Sequence, residues 1–319
     1  MTCRTLLQII ICGVVRLTLA PALVRFAVRR RVTIVNYHRP SPRVFECHLR
    51  AFARHYNLIS LDQAVAAIAL GNFAGLPKRA MVVTIDDGRF EIGRLAPVIA
   101  KRRVPVIVYV VAGIVNSQRR LWWSVVSNRA GVEHLKEVPD SERRAALQTD
   151  YGHTDAREYE SGDGLSTQSL ECLLRSGAAV GAHTAWHPVL PKCTGEVALR
   201  ELQEGRSILE RLTGRPVKHF AYPNGAWDSR IRQFVADSGH ASARTTDPGW
   251  ATVDSDPLAL PCFGIADDAS VSKALIQASG LWSLAKNIAR HLARIGTARS
   301  NMAGSKKHEH PAATRVLSA

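Results

Sequence analysis

Short apolar runs at residues 32–37, 80–85, 104–111, 178–182, 217–221 and 258–265 alternate with longer helix-like stretches, and that alternation limits the fold more than any other feature. The helix-like stretches are Phe45 to His55, Leu61 to Leu70, Leu95 to Arg102, Glu196 to Leu212 and Ile231 to Ser238. A strand that returns to its own sheet through a helix must run parallel to its neighbour. At 319 residues and 46% apolar content, the chain can bury one large core, and α/β barrels reach about 250 residues as a single domain. The expectation is an α/β fold, an irregular barrel, with polar residues gathered where strands give way to loops.

Three strand ends carry the chemistry. Met81-Val82-Val83-Thr84-Ile85 delivers two adjacent carboxylates, Asp86 and Asp87, onto Gly88. Neighbouring carboxylates repel, so the pair is costly unless a cation neutralises one member; the alternative is a solvated Asp-Gly turn. About a hundred residues on, Ala178-Ala179-Val180-Gly181-Ala182 leads into His183-Thr184-Ala185-Trp186-His187. Two imidazoles four apart fit one face of a helical turn, and imidazole with carboxylate suits zinc. A third apolar run ends in His219-Phe220-Ala221-Tyr222-Pro223-Asn224-Gly225.

In that order, Thr-Ile-Asp-Asp-Gly, His-Thr-Ala-Trp-His and Phe-Ala-Tyr-Pro-Asn-Gly resemble the motifs of the polysaccharide deacetylases, carbohydrate esterase family 4, over roughly residues 32 to 268. The resemblance implies the (β/α)7-type barrel of the NodB-homology fold and a bacterial hydrolase that removes N-acetyl groups from N-acetylhexosamine oligomers or polysaccharides. It implies a divalent metal, zinc first and cobalt second, held by Asp87, His183 and His187 with a water in the open position. Asp86 is then the general base. The backbone N–H of Asn224, in the Tyr222-Pro223-Asn224 turn, helps hold the oxyanion, and Tyr222 is a candidate for touching substrate, against the alternative of packing. The late histidine that serves many relatives as acid is missing from Ala274-Leu275-Ile276-Gln277-Ala278. Val35-Asn36-Tyr37-His38 instead resembles the circularly permuted branch, whose N-terminal Tyr-His supplies the acid, so His38 is the candidate.

Some positions depart from the family pattern. Ala221 stands where some members carry an Arg that steadies the base, and Cys262 stands where relatives often have another. Asp86 is therefore expected to lack its arginine partner. Two competing readings follow: a catalytically silent carbohydrate-binding relative, or a metal hydrolase acting on some other amide. Residues 113–166, with Trp122-Trp123 and a charged helix near Ser141 to Leu147, read as an insertion over the site. Trp123 is a candidate for stacking on a sugar ring, against the alternative of core packing.

The net charge of +15 invites a nucleic-acid reading. Its distribution removes most of that invitation, leaving a nucleic-acid hydrolase or binding protein as the second class to carry. Residues 1–31 hold six Arg and no acid, and residues 286–319 hold seven Lys or Arg against Glu309, leaving +3 for everything between. No specific nucleic-acid partner is expected. Residues 1–31 form a separate basic, apolar segment. Leu6 to Val15 is too short to span a bilayer, and Arg16, Arg25 and Arg29 to Arg31 follow it. A helix on an anionic membrane surface leads over a cleaved signal or a helix packed on the barrel. Six Cys at unpaired spacings indicate no disulfide framework and favour a cytoplasmic or inner-face location over secretion. The domain is expected to end near residue 295. Residues 296–319, with His308 and His310, read as a disordered basic tail.

Overall fold

The computed structural model describes residues 18–286 of the chain. The apolar run Leu6 to Val15, the tail 296–319 and its His308 and His310 lie outside the described residues.

Chain order follows the expected alternation. After α1 (Ala20–Ala27) come β1 (Thr33–Tyr37), α2 (Pro42–Ala53), β2 (Asn57–Leu58), α3 (Leu61–Ala69), β3 (Ala80–Ile85), α4 (Ala96–Arg102) and β4 (Val106–Val110). Between β4 and the next long strand stand α5 (Trp122–Val125), α6 (Arg129–Glu137), α7 (Asp140–Tyr151) and α8 (Thr167–Arg175). Then follow β5 (Ala179–Ala182), α9 (Gly195–Thr213), β6 (His219–Ala221), α10 (Ser229–Asp237), β7 (Ser242–Arg244), β8 (Phe263–Gly264) and α11 (Val271–Ala278).

Every strand pairing is parallel, in the order β7-β6-β5-β4-β3-β1-β8, with β2 on the edge of β3. The run predicted as one strand, 258–265, divides its work. Leu260 bridges Arg244 beside β7, and Phe263–Gly264 pairs with β1, so this segment draws the two sheet edges together into an irregular barrel. Helix boundaries have local causes: Ser41, Ser60, Ser166, Thr194 and Asp228 each cap an N-terminus by accepting a backbone N–H, and Gly214 ends α9 in the left-handed conformation.

Strand alternation separates two cores. Val35, Tyr37, Val83, Ile85, Val108 and Val110 face outward under the helices, whereas Ile34, Val82, Ile107, Tyr109, Ala221, Leu260 and Cys262 fill the barrel. Its interior is shaped around one large ring. A Cβ on Gly181 would stand 2.5 Å from Cδ1 of Tyr109, so only glycine fits beside that tyrosine. The same small-residue layer leaves room for a buried cation, Arg244.

Candidate metal and catalytic site

The site forms at the C-terminal end of the sheet, where loops must carry polar side chains inward. Asp87, at φ 70°, turns the chain immediately after β3, and Gly88 follows at φ 65°; a Cβ there would meet Val110 Cγ1 at 2.7 Å. His183 leaves β5. The expectation of a helical turn is corrected next: Thr184 at φ 65° and His187 at φ 58° bend the chain back as a non-helical loop. Thr184 Oγ1 accepts the His187 N–H at 2.8 Å and holds that bend. Left-handed backbone at residues other than glycine is costly and concentrates where geometry matters.

Folding brings Asp87, His183 and His187 together. Their ligating atoms lie within 4.8 Å of one another, and all three residues are buried. The two Nε2 atoms are 3.1 Å apart, and they stand 3.7 and 3.8 Å from Asp87 Oδ1. Burial, outweighing Asp86 and Asp87, lowers the pKa of His183; burial and then His183 hold His187 well below the ordinary imidazole value. Both rings are thus neutral. Burial, with help from Asp86, raises the Asp87 carboxyl against the pull of His38 and His183. His183 Nδ1 donates to the Ala221 carbonyl at 2.7 Å, which fixes the tautomer and leaves Nε2 with a lone pair. Two lone pairs and a carboxylate oxygen aimed at one point fit a divalent ion.

Asp86 points to a different partner. Arg244 Nη2 straddles both its oxygens at 2.5 Å, and Asn36 Nδ2 donates to Oδ2 at 3.2 Å. The expectation that Asp86 lacks an arginine is therefore overturned. Ala221 is the register partner of Arg244 across β6 and β7, so the guanidinium arrives from one strand over and occupies the room an alanine leaves. It lies 5.4 Å from the Tyr109 ring and donates to Thr245 O and Cys262 Sγ. Cys262 thus packs against an arginine from β7. Burial raises the Asp86 pKa, but Arg244, with His183 and His38, outweighs it and leaves the carboxyl below its ordinary value. Asp86 is ionised at neutral pH.

The remaining candidates fall around a pocket of about 190 Å³ lined by His38, Asp86, Asp87, Trp123, Tyr222 and Asn224 among others. His38 Nε2 is 3.9 Å from Asp86 Oδ2 with its side chain 52% exposed, which leaves it in reach of both Asp86 and solvent. Asn224 is left-handed, φ 56°, and its backbone N–H has no acceptor among the described residues. Tyr222 donates its hydroxyl to Leu258 O at 2.8 Å and stacks on Trp227, so that group secures the loop. Pro223 is buried and begins the turn that presents Asn224, without lining the pocket. Trp123 meets the His187 ring edge-on at 4.3 Å, while Trp122 Nε1 donates to the His187 carbonyl at 3.1 Å. Sequence reasoning passed over Arg244, Asn36, Thr246 and Lys136, the last two also on the pocket wall. An asparagine inside a buried strand was a readable signal; the other three carried none.

An α/β barrel with a candidate divalent-metal centre beside an arginine-held carboxylate is the class that fold and site define. The chain belongs to the polysaccharide deacetylase family, whose model matches residues 74–243. The matched stretch contains Asp86, Asp87, His183, His187 and Asn224, begins after His38 and stops one residue before Arg244. Over 85 residues the chain is 36% identical to a chitooligosaccharide deacetylase of Azorhizobium caulinodans, covering 26% of this chain and only 37% of that protein. Among solved structures, it resembles the deacetylase PplD of Streptococcus pyogenes, at TM-score 0.57 and 16% identity over 78% of this chain and 98% of that one. It also resembles IcaB of Ammonifex degensii, at TM-score 0.54 and 20% identity over 78% and 97%.

Proposed function

We propose that the protein hydrolyses the acetamide of an N-acetylhexosamine unit in an oligo- or polysaccharide, yielding acetate and the free amine. The observation that carries this reading is Asp86, ionised and clamped by Arg244, beside the convergent Asp87–His183–His187 set. The 85-residue likeness to a chitooligosaccharide deacetylase supports the choice of a sugar amide.

A metal bound by Asp87, His183 and His187, zinc first and cobalt second, would supply Lewis acidity to the carbonyl and acidify a water. Everything else falls to the chain itself. Asp86 accepts a proton from the attacking water through an oxygen lone pair that Arg244 and Asn36 leave free. The unpartnered N–H of Asn224 donates to the oxygen that gains charge as the carbonyl becomes tetrahedral. His38, half exposed and in reach of Asp86, gives a proton to the departing nitrogen, so that the C–N bond breaks to an amine. Trp122 and Trp123 hold His187 in place, and Trp123 narrows the pocket. Acetate release from N-acetylglucosamine oligomers, with zinc or cobalt added and Asp87→Ala alongside, tests this: release by the native chain alone is expected, and no release from any N-acetylated glycan overturns it.

A second observation concerns position in the cell. Leu19, Leu23 and Phe26 are spaced at i, i+4 and i+7 around α1 and are 75%, 62% and 63% exposed. Arg25, Arg29, Arg30 and Arg31 surround them, and Lys78 joins Arg29–Arg31 around a hollow at the base of the barrel. No described helix is long and apolar enough to cross a membrane. Apolar side chains ringed by arginine match an anionic bilayer surface, which supports a peripheral position at the inner face of the membrane.

A further inference from the structure

The pocket of about 190 Å³ is smaller than the roughly 300–1,000 Å³ that usually enclose a small ligand. It admits the reacting end of a glycan, and the rest must lie on neighbouring surface. An open basin of about 610 Å³ adjoins it, and the same backbone segments build both. His38 lines the pocket and Arg39 the basin; Asp87 lines the pocket and Arg89 the basin; Trp123 lines the pocket and Ser124 the basin. Beyond it, a hollow of about 640 Å³ shares Gln118 and Gly162 with the basin, so the groove runs on away from the site.

The basin is cationic in a specific way. Arg89 is buried and already neutralised by Asp163 at 2.8 Å, whose second oxygen accepts the Leu121 N–H at 2.9 Å. Arg39 is exposed and has no hydrogen bond or ion pair among the described residues. Arg120 spends Nε and Nη2 on Ser161 and stacks 5.0 Å from the Tyr159 ring, with no carboxylate in ion-pair reach among the described residues. Two positive charges thus remain uncompensated among the residues that line the basin. Phe90, 44% exposed, adds a flat apolar surface beside them.

We propose that this basin is a subsite for an anionic sugar unit next to the N-acetylhexosamine that reacts, a ring laid on Phe90 with its carboxylate or phosphate between Arg39 and Arg120. The inference rests on the deacetylase reading for the neighbouring unit, but binding tests it separately. Calorimetry with the full chain, without added metal, would compare oligomers of equal length. One is N-acetylglucosamine alone, one alternates N-acetylglucosamine with glucuronic acid, and one is N-acetylglucosamine carrying a terminal phosphate. The acidic oligomers should bind about tenfold more tightly than the neutral one, as two exposed ion pairs at the upper end of their usual worth allow. Arg39→Gln combined with Arg120→Gln should remove most of that preference, and raised salt should weaken it. The uronate and phosphate arms decide which acid fits better. Equal binding of neutral and acidic oligomers, or a double variant that keeps the preference, overturns the subsite. Acetate release in parallel separates the two readings: release without acidic preference removes only the subsite, and preference without release removes only the deacetylase.

Discussion

Asp86 and Arg244 show how one side chain sets the use of another. Stripped of its guanidinium, a buried carboxylate would either cost several kcal/mol or take up a proton and cease to be a base. Arg244→Met should therefore destabilise the fold by about 3–5 kcal/mol and abolish turnover, whereas Arg244→Lys keeps a charge and part of both. Thermal melts and acetate release check this. Because Arg244 helps hold the Asp86 pKa below its ordinary value, the acid limb of kcat/KM should lie below the usual carboxylate range and move upward in Arg244→Lys. His240 offers a second test. Burial pushes its pKa down to about 3, and neither ring nitrogen has a partner among the described residues. Its folded-state value is below the unfolded one, so its neutral form favours the fold above pH 6.5. Stability should then be lost as pH falls from about 6.5 towards 3, by about 1.4 kcal/mol per pH unit. His240→Phe, which keeps the ring against Phe220, should flatten that slope in denaturant titrations; an unchanged slope would contradict it.

At the scale of elements, what was legible follows from side-chain pattern. β1, β3, β4 and β5 are apolar runs, and their presence and order were readable, as were α2, α3, α4 and α7 between them, whereas α5 and α8 were not. β7 was not. Ser242-Ala243-Arg244 is short and ends in a cation, and its register against β6, rather than its own composition, makes it a strand. The family pattern pointed to 221 and 262 for the arginine, and β7 supplies it instead. α6 was overlooked for a similar reason: its apolar residues are few, although it brings Val132 and Lys136 to the pocket wall. The motifs named the carboxylates and imidazoles, but the left-handed loop that turns His187 back on His183 could not be read from a spacing of four. Within the sheet, Gly181→Ala should cost about 1–3 kcal/mol by overpacking against Tyr109, with Tyr109→Leu in the same chain restoring part of it. Denaturant midpoints measure both.

For the whole molecule, the barrel separates two faces. Strand C-termini carry the candidate site, and α1 with Arg29–Arg31 and Lys78 sits at the opposite end. Docking at that base leaves the groove open to a polymer. The full chain should sediment with vesicles containing phosphatidylglycerol and not with phosphatidylcholine alone, and Leu23→Glu with Phe26→Glu should release it. Equal binding to both vesicle types would contradict an anionic-surface partner. In the proposed mechanism adjacent carboxylates do different work, Asp87 holding a metal and Asp86 moving a proton. Asp86→Asn keeps the shape and removes the base, so zinc stoichiometry and acetate release measured together on this variant are the most direct test. One zinc should be retained at the site with turnover lowered by about 10² to 10⁴. Zinc retained with turnover undiminished would contradict it.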